Sequence, residues 1–214
     1  ADLGQIEPRV LAAVSGDRTL AQATQADDLY RPVAERLGVE RAIAKVAVLA
    51  AMYGQTSGTA GRALQGLDRA YPVAMQYLRD AEQSGKAGID IRTYGGRLVR
   101  MGRRDDPEAS LDAERSAAAA MGRYARNASV QGAAAEVFKA WAATLRARLA
   151  GTPPTIVLCL HDELLVHAPT DQAPVVADLL HSCLDEASGR WFRGSGVRFV
   201  AEVSQVASWA DAKG

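Results

Sequence analysis

The chain has few cysteines, histidines and aromatic residues, and no excess of charge of either sign. Its two cysteines, Cys159 and Cys183, form no disulfide framework and have no partner at metal-ligand spacing. Both therefore read as reduced core residues of an intracellular protein. No apolar run approaches the roughly 20 residues of a membrane-spanning helix, and no signal-peptide pattern is present. The tetrapeptide His161-Asp162-Glu163-Leu164 is internal, so it is no retention signal. The 25 Lys and Arg cancel the 25 Asp and Glu. A missing basic excess lowers the expectation of nucleic-acid binding, although a zero sum can hide a basic groove opposite an acidic site. Internal repeats, low-complexity tracts and cysteine-histidine clusters are likewise missing.

What is present is a globular composition. With 214 residues and a 48% hydrophobic share, the chain has material for one large domain or two small ones. Thr155–Pro169, TIVLCLHDELLVHAP, reads as two apolar strands, Thr155–Leu160 and Leu164–Ala168, joined at an acidic bend. Taken alone, charges at a turn are ordinarily just solvated. A second acidic site at the other end of the chain, in ADLGQIEPRVLAAVSGD, changes their weight.

Between these sites the helical pattern dominates. Ile6, Val10, Leu11 and Val14 recur at helical spacing, which predicts a helix over Gln5–Ser15. Thr19–Gly38 reads as one or two helices with Leu20, Leu29, Val33 and Leu37 on an apolar stripe. In Glu40–Gly54 the residues Arg41, Lys45, Leu49 and Tyr53 are each four apart, so successive members turn by only about 40° and form one stripe about 18 Å long. Two cations followed by apolar and aromatic surface match an extended nucleotide; the plain alternative is an amphipathic helix with solvated cations. Gly95–Val99, followed by Gly102-Arg103-Arg104, predicts a β-ribbon ending in a basic turn. Asp105–Ser110 is a polar connection. Leu111–Arg126 and Asn127–Leu149 read as two helices, the second burying Val130, Ala134, Val137, Phe138, Trp141, Leu145 and Leu149. A helix over Thr170–Ser188, with Val175, Val176, Leu179, Leu180, Cys183 and Leu184 inward, and a last strand over Val197–Val206 follow, with Trp209 anchoring the tail. Helices alternating with antiparallel strands indicate an α+β fold.

Four stretches together resemble the motifs of family A DNA polymerases, of the bacterial polymerase I type. Asp2, Gln5-Ile6-Glu7, Arg9-Val10-Leu11 and Ser15-Gly16-Asp17 resemble motif A. Arg41, Lys45, Tyr53 and Gly54 resemble motif B, Asn127 to Gly132 resembles the segment before motif C, and His161-Asp162-Glu163 resembles motif C. The order is the family's, and the four cover almost the whole chain. The resemblance implies helical fingers inserted in a palm with an antiparallel sheet: palm over 1–17, fingers over 18–110, palm again over 111–214. It also implies that a thumb and the first part of the palm belong to sequence preceding motif A.

The resemblance further implies templated transfer of dNTPs to a primer 3′-hydroxyl through two Mg²⁺ ions, with Mn²⁺ as a substitute. Asp2 and Asp162 would bridge the metals, the Leu3 carbonyl would add a ligand, and Glu163 would tune the site. Arg41 would take the outer phosphates and Lys45 those near the chemistry, where it neutralises the departing pyrophosphate. Leu49 would meet sugar and base and Tyr53 the template-side end, Gln5 and Tyr30 would complete the nucleotide site, and Glu7 against Tyr53 would block a ribose 2′-hydroxyl. Arg123, Asn127 and Gln131 would contact the minor groove, whose acceptors are nearly sequence-independent, and His161 the primer terminus. Tyr30 stands where the family usually has histidine, and Leu49-Ala50 where most members have Phe-Gly. The implied partners are primer-template DNA and dNTPs around a monomeric, cytoplasmic, nucleoid-associated protein, with no membrane. Two rivals remain at this level: a polymerase-like fragment that binds DNA or nucleotide without turnover, and a metal-dependent phosphodiesterase using the same carboxylates.

Overall fold

A computed structural model describes residues 1–55, 60–102 and 110–212. Among them the chain forms eight α-helices and six short strands, an α+β fold. Strand β1 (Asp2–Leu3) leads into α1 (Ile6–Ser15), α2 (Arg18–Ala23), α3 (Tyr30–Leu37) and α4 (Arg41–Tyr53). Helices α5 (Ala60–Ala70) and α6 (Pro72–Lys86) follow, then a ribbon of β2 (Ile91–Arg92) and β3 (Leu98–Val99). Helix α7 (Leu111–Leu149) precedes the hairpin β4 (Thr155–Leu160) and β5 (Glu163–His167), and α8 (Ala173–Trp191) and β6 (Ala201–Glu202) close the fold.

The sheet order is β4-β5-β1-β6, antiparallel throughout, so the first strand lies between two from the chain's far end. Helices α1, α7 and α8 supply the core behind it, where Trp141 is fully buried and its indole N–H donates to the Leu180 carbonyl at 2.9 Å. Buried Leu3, Val10, Leu145, Leu164 and Leu184 belong to the same apolar cluster.

Two buried polar residues tie the helices together. Asp17 caps α2 by accepting from the Thr19 and Leu20 amides, and its other oxygen accepts from the Ala74 amide in the first turn of α6. One carboxylate thus serves two helix N-termini, which each leave amides unpaired. Arg9 is fully buried and donates to the carbonyls of Gly4, Thr24, Ala26, Asp27 and Arg198 at 2.6–3.2 Å. Its burial lowers its pKa to about 10. The two ends of the chain and the turn after α2 meet on this single guanidinium.

Several expectations need correction. The two helices expected over Leu111–Leu149 are one helix of 39 residues, because the alanine-rich sequence contains no proline and Asn127 lies in its interior rather than at a cap. The ribbon exists, but Gly95 and Gly96 fall in its turn rather than in a strand; Arg103 and Arg104, expected as its basic end, lie outside the described residues. Thr93 sits so close to Gly132 of α7 that a Cβ there would meet its methyl at 2.3 Å, so glycine is required for the ribbon to dock. Strand Val197–Val206 shrinks to Ala201–Glu202, since β1, its pairing partner, is only two residues long. Cys183 is buried as expected, whereas Cys159 is exposed on β4, the sheet's edge strand. Val175 and Trp209 are also largely exposed.

Candidate active site

The acidic half of the site is built by main chain. Leu3 N–H donates to the Asp162 carbonyl at 3.0 Å, Leu164 N–H donates to the Ala1 carbonyl at 2.8 Å, and Gly4 N–H donates to the Val200 carbonyl at 3.1 Å. This register places Asp2 directly opposite Glu163 on one side and Glu202 on the other. Residues directly opposite share a face, so three carboxylates form a row across three strands. They line a cavity of ≈ 210 Å³ with Ser204 and Trp209. Glu202 was missed by sequence reasoning; only its pairing with β1 reveals it.

Asp162 sits beside this row, in the two-residue turn between Leu160 and Glu163. Its partner in the turn, His161, has φ 55°, the positive φ that two-residue hairpins use at their first central position. Among the described residues the other non-glycine with positive φ is Gln5, at the start of α1. Both outliers flank the acidic residues, which is where strained backbone concentrates in functional sites. His161 Nδ1 lies 3.0 Å from Asp162 Oδ1, and this hydrogen bond and charge raise the imidazole's pKa. Asp162 lines a second cavity, ≈ 240 Å³, shared with Ile6, Glu7, Gln131, Phe138 and His161. The two predicted acidic sites are thus neighbours along the sheet and share both cavities, Asp2 with Glu163 in the first and Glu7 with Asp162 in the second, while Asp2 and Asp162 themselves line different ones.

Glu7, Tyr53 and Gln131 converge from α1, α4 and α7. Gln131 Nε2 donates to Glu7 Oε1 at 3.1 Å and to the Tyr53 hydroxyl at 3.3 Å. The Tyr53 hydroxyl stands 3.4 and 3.5 Å from the Glu7 oxygens, longer than an ordinary O–H···O bond, so Gln131 is the firmer link. Along α4, Lys45 is exposed, Leu49 half-buried and Tyr53 exposed, one stripe as predicted from the spacing.

Arg41 is engaged at the outer end of this stripe. Its Nε donates to Asp28 Oδ2 at 2.5 Å, and its guanidinium lies 5.7 Å from the Tyr30 ring centroid. Gln5 joins the same hub: its Nε2 donates to Asp28 Oδ1 at 2.9 Å and its Oε1 accepts from the Leu29 amide at 2.8 Å. Burial raises the Asp28 carboxyl, but the hydrogen bonds from Arg41, Gln5 and the Tyr30 amide outweigh it and hold the pKa below its ordinary value. Tyr30 itself is 4% exposed, and burial pushes its phenol up to about 12. It supports Arg41 from beneath.

On α7, Arg123 is exposed and packs against Gly54, where a Cβ would meet Arg123 Cγ at 2.9 Å. Asn127 Nδ2 is buried without a hydrogen-bond partner among the described residues. Asn127 and Gln131 line a groove of ≈ 560 Å³ together with Arg97, Arg100 and Tyr124. Arg97 and Arg100 were not singled out from sequence; their place on the Gly-Gly ribbon was the available signal.

Among the described residues no group of three or more His, Cys, Asp or Glu side chains is arranged to hold a metal ion alone. Mg²⁺ is ordinarily held by one or two carboxylates, with substrate phosphates and water completing its shell. Asp2 and Asp162 carry oxygen donors of that kind, on cavities that lie side by side.

An antiparallel sheet carrying a row of carboxylates, backed by helices and joined through α1 to a helix with an exposed cationic stripe, defines the class as an α+β protein with a polymerase-like domain. The sequence pattern of DNA polymerase family A matches residues 1–211, and the chain belongs to that family. It is 34% identical over 207 residues to DNA polymerase I of Chloroflexus aurantiacus, covering 86% of this chain and 21% of that protein. With the thermostable DNA polymerase I of Thermus thermophilus it shares 32% over 234 residues, covering 100% of this chain and 27% of that protein. DNA polymerase theta of Caenorhabditis elegans is 27% identical over 226 residues, 100% of this chain and 13% of that one. A solved structure, the POL domain of Pol1 from M. smegmatis in complex with DNA primer-template and dNTP, superposes with a TM-score of 0.71 at 26% identity, covering 87% of this chain and 36% of that chain. The chain therefore spans about a quarter or less of the length of these curated relatives. Among the described residues no helix is long and apolar enough to cross a membrane.

Proposed function

We propose that this chain carries the nucleotidyl-transfer centre of a template-directed DNA polymerase, adding dNTPs to a primer 3′-hydroxyl. The observation that supports it most is the placement of β1 between β5 and β6, which puts Asp2 and the Asp162-Glu163 tip on adjacent strands although they lie at opposite ends of the sequence. On this reading the sheet, α1, α7 and α8 are the palm, and α2 to α6 the fingers.

Asp2 and Asp162, with the Leu3 carbonyl, would hold Mg²⁺ or Mn²⁺, and Glu163 would tune the site. When bound, two such ions supply stabilisation of the attacking and leaving oxygens of an in-line displacement. Lys45 neutralises the departing pyrophosphate. Arg41 takes the outer phosphates by leaving Asp28, while Gln5 and Tyr30 shape the pocket beneath. Leu49 meets the sugar. Glu7, held between Tyr53 and Gln131, closes the space a ribose 2′-hydroxyl needs. Arg123, Asn127 and Gln131 contact the minor groove of the primer-template, and His161 the primer terminus. The protein acts as a monomer.

The test is primer extension on a recessed template with dNTPs and Mg²⁺, with this chain beside its Asp162→Ala variant. Templated extension that the variant loses is the expected result. A folded chain that binds primer-template but never extends it would support the second reading, a binding fragment whose chemistry needs further sequence; the chain's small share of its relatives' length favours keeping that reading in view. Shortened primers would instead identify a phosphodiesterase.

A further inference from the structure

Helix α4 ends where α6 and α7 cross. The crossing is tightest at two glycines: a Cβ on Gly85 would meet the Met121 carbonyl oxygen at 2.5 Å, and one on Gly122 would meet the Glu82 carbonyl oxygen at 3.0 Å. Beside this contact lies Arg126, only 8% exposed, at a place where burial would ordinarily select an apolar side chain. Its guanidinium reaches two ways. Nε donates to the Ala51 carbonyl at 2.5 Å, and a terminal nitrogen pairs with Glu82 Oε2 at 2.7 Å. Glu82 also accepts from Lys86 Nζ at 2.5 Å, so two cations hold that carboxylate in place.

The Ala51 carbonyl belongs to the last turn of α4, the negative end of the helix, where a cation is favoured. Tyr53 follows in the same turn, and Gln131 lies little more than one turn beyond Arg126 on α7. Replacing a buried ion pair with apolar residues of similar volume is often neutral or stabilising. What the pair adds here is direction: an aliphatic side chain would fill the space without holding a carbonyl.

We infer that Arg126, anchored by Glu82, is a positioning residue that fixes the last turn of α4 against α7 and so sets Tyr53 between Glu7 and Gln131. The consequence for nucleotide choice rests on the proposed polymerase reading; the clamp does not. It acts on sugar selection through the Tyr53-Glu7-Gln131 contact and touches no substrate.

The test compares Arg126→Met, Arg126→Lys and Glu82→Gln in the whole chain by two measurements. The first is amide hydrogen exchange over residues 50–55 without nucleotide or DNA. Exchange there rises about tenfold in Arg126→Met, the size expected for one lost charge-assisted hydrogen bond, and less in the other two, while α1 and α8 are unchanged. The second is the ratio of ATP to dATP incorporation opposite template T, which rises in the same order as the exchange. Unchanged exchange at residues 50–55, or an equal rise throughout the chain, overturns the clamp. A loosened α4 turn with an unaltered ATP-to-dATP ratio overturns its role in sugar selection. An unsubstituted chain that extends no primer counts against the polymerase reading instead, and the exchange result still decides the clamp.

Discussion

The two halves of the candidate site are held in opposite ways. The carboxylates stand on backbone: β1 is two residues long, yet main-chain hydrogen bonds grip it from both sides, and Leu3 and Leu164 behind it are each 1% exposed. The cations stand on long side chains projecting from α4, and the Arg41 side chain is 50% exposed while paired with Asp28. Moving Asp2 requires unzipping the sheet. Releasing Arg41 breaks a surface ion pair, which costs little. The acidic half is thus fixed by main chain, and the cationic half by a side-chain pair that releases at little cost.

The comparison breaks most visibly at the acidic end. Asp162→Ala is expected to reduce primer extension by about a thousandfold or more, the scale of a lost group in a catalytic unit, with a melting temperature close to that of the unsubstituted chain because the turn's main-chain bonds remain. A large fall in melting temperature would show that the carboxylate is structural. Next comes the buried cation behind the sheet. Arg9→Met strands five carbonyl oxygens and should lower stability by about 3–5 kcal/mol in urea unfolding; a loss below about 1 kcal/mol, the size of one ordinary hydrogen bond, would mean the acidic half is less rigidly built than described.

The cationic half should respond differently. Lys45 is exposed, so Lys45→Ala should weaken dNTP use about 10- to 100-fold, the equivalent of one charge-assisted hydrogen bond. Thermal melts of the two proteins should coincide. The smallest effect concerns acid. Asp28 has a folded pKa below its ordinary 3.8, so its stabilising contribution is fully present above that value and is lost as pH falls through the lowered one. Stability curves of the unsubstituted chain and Asp28→Asn should be separated at neutral pH and converge in acid. Parallel curves would show that the Arg41–Asp28 pair adds nothing and that the cationic half is freer still.

Much of this site was legible before any coordinates. The stripe Arg41, Lys45, Leu49 and Tyr53 needed only the helical repeat, and α4 runs from Arg41 to Tyr53 as that repeat requires. The hairpin was readable from two apolar runs broken by His161-Asp162-Glu163, although Glu163 itself begins β5, and the α+β class from the alternation of patterns. Val175 and Cys159 show where such reading fails. Tyr30, expected at the nucleotide site from its position in a motif, has its ring buried under Arg41, which the motif alone did not indicate. Val175 and Cys159 are apolar residues on regular elements whose outer faces have no covering layer among the described residues. A helix boundary drawn at Asn127 failed because asparagine's preference for caps is weaker than the continuity of an alanine-rich helix packed along its length.

By itself the sequence determined the local elements and the chemistry available on each, since helical and strand periodicities, caps and turn residues act over a few positions. Tertiary structure alone decided which distant groups meet. Glu202 joins Asp2 only because β6 pairs with β1. Arg9 becomes a hub only where Gly4, Thr24 and Arg198 present carbonyls together, and Arg126 reaches Glu82 only because Gly85 and Gly122 let α6 and α7 touch. Strand register and helix crossing depend on contacts between residues far apart in the chain, and no short stretch of sequence contains both partners.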